Sequence, residues 1–171
     1  MIATSESIIA RSFAPADQKT IQKVLELLPH KPPFRFVDGV SHLSEQGIVG
    51  SYRFQEDEYF YKGHFPGRPV TPGVILVETM AQVGVAALGI FLFMQKGLSE
   101  NRLKQMTTLF AVAEGIEFTG VVLPGDKVMV HGEKVYFRKG SLKTNVSMVR
   151  ESGEMVCSGV LTGAGVNLDE K

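Results

Sequence analysis

Apolar and polar positions follow two different periods along this chain. Residues 74–94 contain no proline, and Glu78 is the only charged side chain among them. Apolar residues cover every face of that segment, so a helix starting at Gly73 or Val74 has no wet side and belongs in a core. From Thr107 onward the pattern becomes that of strands. Residues 108–112 are apolar and 115–118 alternate weakly. Val128, Val130, Val135 and Phe137 then alternate within 127–137, and strands are expected at 143–149 and 155–162. Pro124-Gly125-Asp126, Arg138-Lys139-Gly140 and Glu151-Ser152-Gly153 supply the turns. Successive hairpins at this spacing build an antiparallel meander.

Upstream, Ile21, Val24, Leu25 and Leu28 recur at helical spacing behind a capping Asp17, and Pro29 ends that helix. Residues 34–40, after Pro32-Pro33, alternate as a strand; 47–54 read as a second, with Ser44 to Gly47 as the turn between them. Residues 1–16 are polar and unpatterned and are expected to form an N-terminal arm, with one domain over 17–171. Segment 96–106 is polar, helical or loop-like. A sheet needs its apolar face covered, and an all-apolar helix needs a cover of its own. One α+β domain, a curved antiparallel sheet wrapped around one long central helix, satisfies both. The helix is long enough to cross a bilayer. Glu78, Gln82, Gly84 and Gly89 within it, and the absence of a flanking basic cluster, favour a protein core over a membrane span.

Composition narrows the function. Apolar content of 44% and charge of 21% are those of a globular domain. A net charge of zero gives no global field to recruit nucleic acid or anionic lipid. The single Cys157 excludes an internal disulfide and fits a reducing, cytoplasmic setting; it reads as a small core residue. No metal-spaced Cys/His cluster, phosphate-binding glycine loop or dinucleotide fingerprint occurs.

The chemistry concentrates where loop meets helix. Pro66, Pro69 and Pro72, with three glycines, make residues 63–73 a stiff loop that can hold His64 in one place. A carboxylate on a buried helix costs free energy unless it is paired or protonated, which marks Glu78 for a task. Together they form a candidate acid–base pair. Other readings are a surface histidine and a glutamate that answers the helix dipole. His30 reads as a hydrogen-bonded structural residue near a helix end, and His42 and His131 as exposed. Tyr59-Phe60-Tyr61 reads as packing beneath the proline-rich loop.

Gly63-His64-Phe65-Pro66-Gly67, followed by the run from Pro72 through Glu78 to Gln82, closely resembles the signature of bacterial β-hydroxyacyl-[acyl carrier protein] dehydratases of fatty-acid synthesis. Leu28-Pro29-His30 through Asp38 is similar to that family's opening segment, and Pro124-Gly125-Asp126 to one of its turns. The likeness runs from about Leu27 to Gly165. It implies the hot-dog fold and loss of water from a β-hydroxyacyl thioester to give a trans-2-enoyl thioester. It implies His64 as base and Glu78 as the acid, or as the group that positions an acidic water. Backbone N–H groups at Gly73 and Val74 would form the oxyanion site. No metal or organic cofactor is implied. The partners implied are an acyl carrier protein and a second copy, with His64 and Glu78 supplied by different subunits of a homodimer, often in larger assemblies such as a trimer of dimers. Phe65, Val83 and Leu109 are expected to line the acyl tunnel, and Arg102, Lys104, Arg138 and Lys139 to meet the acidic carrier. Alternatives are a dehydratase that also isomerises, whose relatives typically carry Asp where Glu78 stands, a hot-dog thioesterase, and a non-catalytic acyl-binding module.

Overall fold

The computed structural model of the protein describes residues 15–167. The expected arm, 1–16, lies outside these apart from Pro15 and Ala16, whose N–H donates to the Leu43 carbonyl at 2.7 Å. Helix α1 (Gln18–Leu27) begins as expected: the Asp17 carboxylate accepts from Thr20 N–H, and Ile21, Val24 and Leu27 face the core.

Among the described residues six strands form one antiparallel sheet: β1 (Gly39–Leu43), β2 (Gly47–Arg53), β3 (Met106–Phe118), β4 (Lys127–Arg138), β5 (Ser141–Arg150) and β6 (Met155–Asn167). Their order is β1-β2-β4-β5-β6-β3, so β1 and β3 are the edges. Lys139 and Gly140 both take positive φ, 49° and 77°, at the β4–β5 turn, the geometry that matches strand twist in a two-residue hairpin. The two weak apolar runs expected at 108–112 and 115–118 are one strand, β3. Two register shifts break its alternation, which is why its period is hard to see.

Helix α2 runs continuously over Gly73–Gln95 with a π-helical stretch at Gln82–Ala87. It is long and apolar enough to cross a bilayer, yet most of it is buried against the sheet and α1. The sheet approaches it closely through glycines. A Cβ on Gly132 of β4 would lie 2.9 Å from Gly84 Cα, and one on Gly50 of β2 would lie 2.8 Å from Val83. A short helix α3 (Glu100–Gln105) closes the far end and buries Leu103.

The segment expected as a strand at 34–40 is corrected: it is loop through Asp38, and the strand begins at Gly39. The reason is a competing partner. The Gln82 side chain takes Phe36 N–H at 2.7 Å and donates to the Phe34 carbonyl at 3.0 Å, so those main-chain groups are unavailable to a ladder. His42 and His131 are likewise half-buried rather than exposed, flanking Val49 on neighbouring strands. Of the aromatic trio, Tyr61 is buried, Phe60 packs on the core and Tyr59 stays exposed.

Candidate active site

The proline-rich loop holds His64 by main-chain bonds on both sides. His64 N–H donates to the Phe60 carbonyl at 3.0 Å, and Val70 N–H donates to the His64 carbonyl at 2.9 Å. The His64–Phe65 peptide is cis, and the Phe65 ring stacks on the imidazole at 4.1 Å. Phe65 itself is exposed. His64 Nδ1 lies 2.8 Å from the Val70 carbonyl. A carbonyl only accepts, so Nδ1 carries a proton, and in the neutral ring Nε2 then holds the lone pair. The loop is anchored downstream, where Thr71 N–H donates to the Val122 carbonyl and the Thr71 hydroxyl meets Tyr61 Oη at 2.7 Å.

Glu78 lies two turns into α2 and is partly covered, with 22% of its side chain exposed. Gln82, one turn on and buried, donates its amide to Glu78 Oε1 at 2.9 Å. Both amide hydrogens of Gln82 are used, one on Glu78 and one on Phe34, and its carbonyl accepts from Phe36. The opening segment is thereby tied to the carboxylate. His30 Nε2 stands 3.6 Å from the same Oε1. These three residues line a small cavity with Val85, Thr108 and Phe110. Burial holds the His30 imidazole below its usual range, against an opposing upward pull from Glu78 and with Arg35 adding to the downward push.

Among the described residues no hydrogen bond or ion pair joins His64 to Glu78. At the start of α2 the Pro72 carbonyl accepts from Ile75 and Leu76, so the N–H groups of Gly73 and Val74 precede the first intrahelical bonds. Val74 is 76% exposed. The space a Gly73 Cβ would need is met by the Phe118 ring at 3.0 Å.

The expected tunnel residues are dispersed. Val83 is wholly buried against Gly50 of the sheet, and Leu109 is exposed on the edge strand. Thr108 and Phe110, its neighbours along β3, line the Glu78 cavity instead; alternation turns Leu109 the other way. A second cavity shares Val85 and Thr108 with the first and continues past Gly89 and Ile90 to Phe93 and Phe137. The four basic residues collect around this far end, beside Leu103 and Gly140 of its lining. Arg102 and Lys104 are exposed on α3, with Lys104 ion-paired to Glu100 at 2.6 Å. Arg138 lies over the Tyr136 ring, and Lys139 occupies the hairpin turn.

Two neighbours of Glu78 escape notice in the sequence. Gln82 sits four residues on, the spacing that stacks side chains on one helix face, so its contact was available. His30 offers no such signal, because only the fold brings it to α2.

A curved antiparallel sheet around one buried helix is the hot-dog class of fold. The model of the FabA-like domain matches residues 28–161. The 3-hydroxyacyl-[acyl-carrier-protein] dehydratase FabZ of Caldicellulosiruptor bescii is 37% identical over 142 residues, 82% of this chain and 94% of the relative. The protein of that name from Thermus thermophilus is also 37% identical, over 83% of this chain and 94% of its own. Among solved structures, the dehydratase heterocomplex ApeI:P of Xenorhabdus doucetiae superposes with a TM-score of 0.72 at 13% identity, covering 93% of this chain and 95% of that one. A thioesterase of Haemophilus influenzae reaches 0.52 at 18%, covering 77% and 80%. At such identities the two structures speak for the fold alone. The chain belongs to the FabA-like dehydratase family.

Proposed function

We propose that this chain is a hydro-lyase that removes water from a β-hydroxyacyl thioester carried on acyl carrier protein. His64 Nε2 takes the α-proton from C2, the C3–O bond breaks, and the hydroxyl leaves as water with a proton delivered at Glu78. The electrons of the C2–H bond become the C2=C3 double bond. The observation that carries this is the 2.8 Å contact of His64 Nδ1 with the Val70 carbonyl, which assigns a proton to Nδ1. With Nδ1–H fixed on the Val70 carbonyl, Nε2 is a base held on a doubly anchored loop. The open N–H groups of Gly73 and Val74 are suited to the thioester oxygen. The two small cavities that meet at Val85 and Thr108, one beside Glu78 and one lined by Gly89, Ile90 and Phe93, mark the direction in which the acyl tail would lie.

The active unit in this reading is a homodimer. Edge strand β3 exposes Leu109, Phe110, Val112 and Phe118, each about half exposed, and Val74 lies open at the start of α2. A long apolar edge invites a partner, and a second copy that covers it can bring its own His64 to Glu78. Closed symmetry would complete two sites at once.

The test is hydration of a trans-2-enoyl thioester, the reverse reaction. His64→Ala and Glu78→Gln should each fold normally and lose about 10²–10⁴-fold in rate. Mixing differently tagged His64→Ala and Glu78→Ala chains should restore activity, up to one intact site per exchanged dimer. Nearly full rate from Glu78→Gln, or dead exchanged dimers from well-folded parents, would refute the reading.

A further inference from the structure

We propose that His30 is a positioning residue that, with Gln82, anchors Oε1 of Glu78 and leaves Oε2 as the oxygen that handles the proton. The inference rests on Glu78 being the proton-transfer group of the reading above.

The two oxygens of Glu78 have unequal surroundings. Oε1 receives the Gln82 amide at 2.9 Å and faces His30 Nε2 at 3.6 Å. No donor among the described residues is recorded on Oε2. The far side of the His30 ring is equally telling. Nδ1 is buried and has no hydrogen-bond partner. A proton on Nδ1 would be stranded there, while the Nε2 lone pair would face a carboxylate oxygen. With the proton on Nε2 both problems vanish, because the N–H points at Oε1 and the bare lone pair of Nδ1 faces the interior. Burial favours the neutral ring, which has one N–H to give, with Glu78 pulling the other way and Arg35 adding to the effect of burial. The remaining wall around this contact is apolar except for Thr108.

At 3.6 Å the contact has ion-pair length and is longer than a hydrogen bond. Hydrogen bonds to catalytic groups often shorten when substrate binds. The Gln82 amide from α2 itself and the His30 N–H from the segment after α1 both address Oε1, which restricts rotation of the carboxylate. The free oxygen then meets the leaving hydroxyl in one orientation rather than several. Leaving a buried imidazole nitrogen unpaired carries a cost that a purely structural histidine could avoid.

The experiment compares His30→Met, which keeps bulk and loses the donor, with His30→Gln, which keeps an N–H at similar reach. His30→Asn, too short to reach, replaces the Met variant if that one fails to fold. Each is measured in the enoyl-thioester hydration assay, alone and combined with Glu78→Gln. His30→Met should lower kcat by about 10- to 100-fold, the range for losing a hydrogen bond to a charged group, with KM within about twofold. His30→Gln should recover most of the loss. The double variant should be no slower than Glu78→Gln alone, since His30 acts only through that carboxylate. A merely structural histidine would instead give losses that multiply and no rescue by Gln. Wild-type kcat in His30→Met, a Gln variant as slow as Met, or multiplying losses would each overturn the proposal. Full rate in Glu78→Gln would overturn the assignment of Glu78 beneath it, a separate and recognisable failure.

Discussion

Replacing Gln82 with Met tests whether one buried amide holds the opening segment on the central helix. Met matches Gln in length and removes three polar contacts: Phe36 N–H, the Phe34 carbonyl and Glu78 Oε1. Their losses differ. Phe36 is wholly buried, so its N–H is left without water or partner, at about 1–3 kcal/mol. Phe34 is 43% exposed, and water reaching that carbonyl would make its share small. Glu78 is partly open, so water replaces much of what the amide gave it. Apolar burial of the Met side chain returns part of the loss, roughly 1 kcal/mol. The expected net destabilisation is about 0.5–2.5 kcal/mol. Urea denaturation of both proteins at one fixed concentration reads it as a lower midpoint with unchanged slope. Loss of less than about 0.5 kcal/mol, the scatter expected of ordinary surface changes, would refute the reasoning. The loop would then be held by Pro32, Pro33 and the aromatic packing of Phe36 alone.

Two other outcomes are expected. Gly132→Ala should cost about 1–3 kcal/mol of stability by overpacking, read from the same denaturation curves, since its Cβ would meet backbone of α2 that cannot step aside. His131, whose imidazole burial holds below its usual 6.5, stays neutral in the folded chain while the unfolded chain takes a proton. Its contribution is therefore complete above about pH 6.5 and is lost as pH falls through the lower folded value. Melting curves of His131→Gln should show a shallower decline below pH 6.5 than the unaltered protein, and parallel declines would refute this.

What the sequence reveals and what it hides follows from which forces are local. The all-apolar run of α2 and the period-2 strands β4, β5 and β6 are legible because each residue's neighbours along the chain display the face it buries. His64 and Glu78 stand out for the same reason: one opens a proline-rich loop, the other is a lone charge in an apolar run. The loop at 34–38 is hidden because its apolar alternation is that of a strand, and only a side chain 46 residues away diverts its hydrogen bonds. The His30 contact is hidden likewise. Leu109 shows a third limit. Its alternation with Thr108 and Phe110 is regular, but both faces of this edge strand are apolar or half exposed, so the pattern does not say which face turns to the Glu78 cavity.

The buried polar side chains also show where this fold needed more than apolar packing. Glu58 accepts from Tyr52 and from Gln55 N–H, and it precedes the helical turn Tyr59–Lys62 that leads into His64. Thr71 pairs with Tyr61 and fixes the loop on the other side of His64. Gln82 fixes the segment after His30 and touches Glu78. Each of these three fastens irregular backbone to a helix, a strand or the aromatic core beside a candidate residue. Irregular backbone has no ladder to satisfy it, so holding it still requires a buried polar partner, and such a partner is costly wherever its bonds are incomplete. An apolar side chain at any of the three could fill the space and could not fix the loop. Fixing irregular backbone beside the two candidate residues, His64 on its loop and Glu78 on α2, thus demands polar clamps, and that is where these three buried polar residues lie.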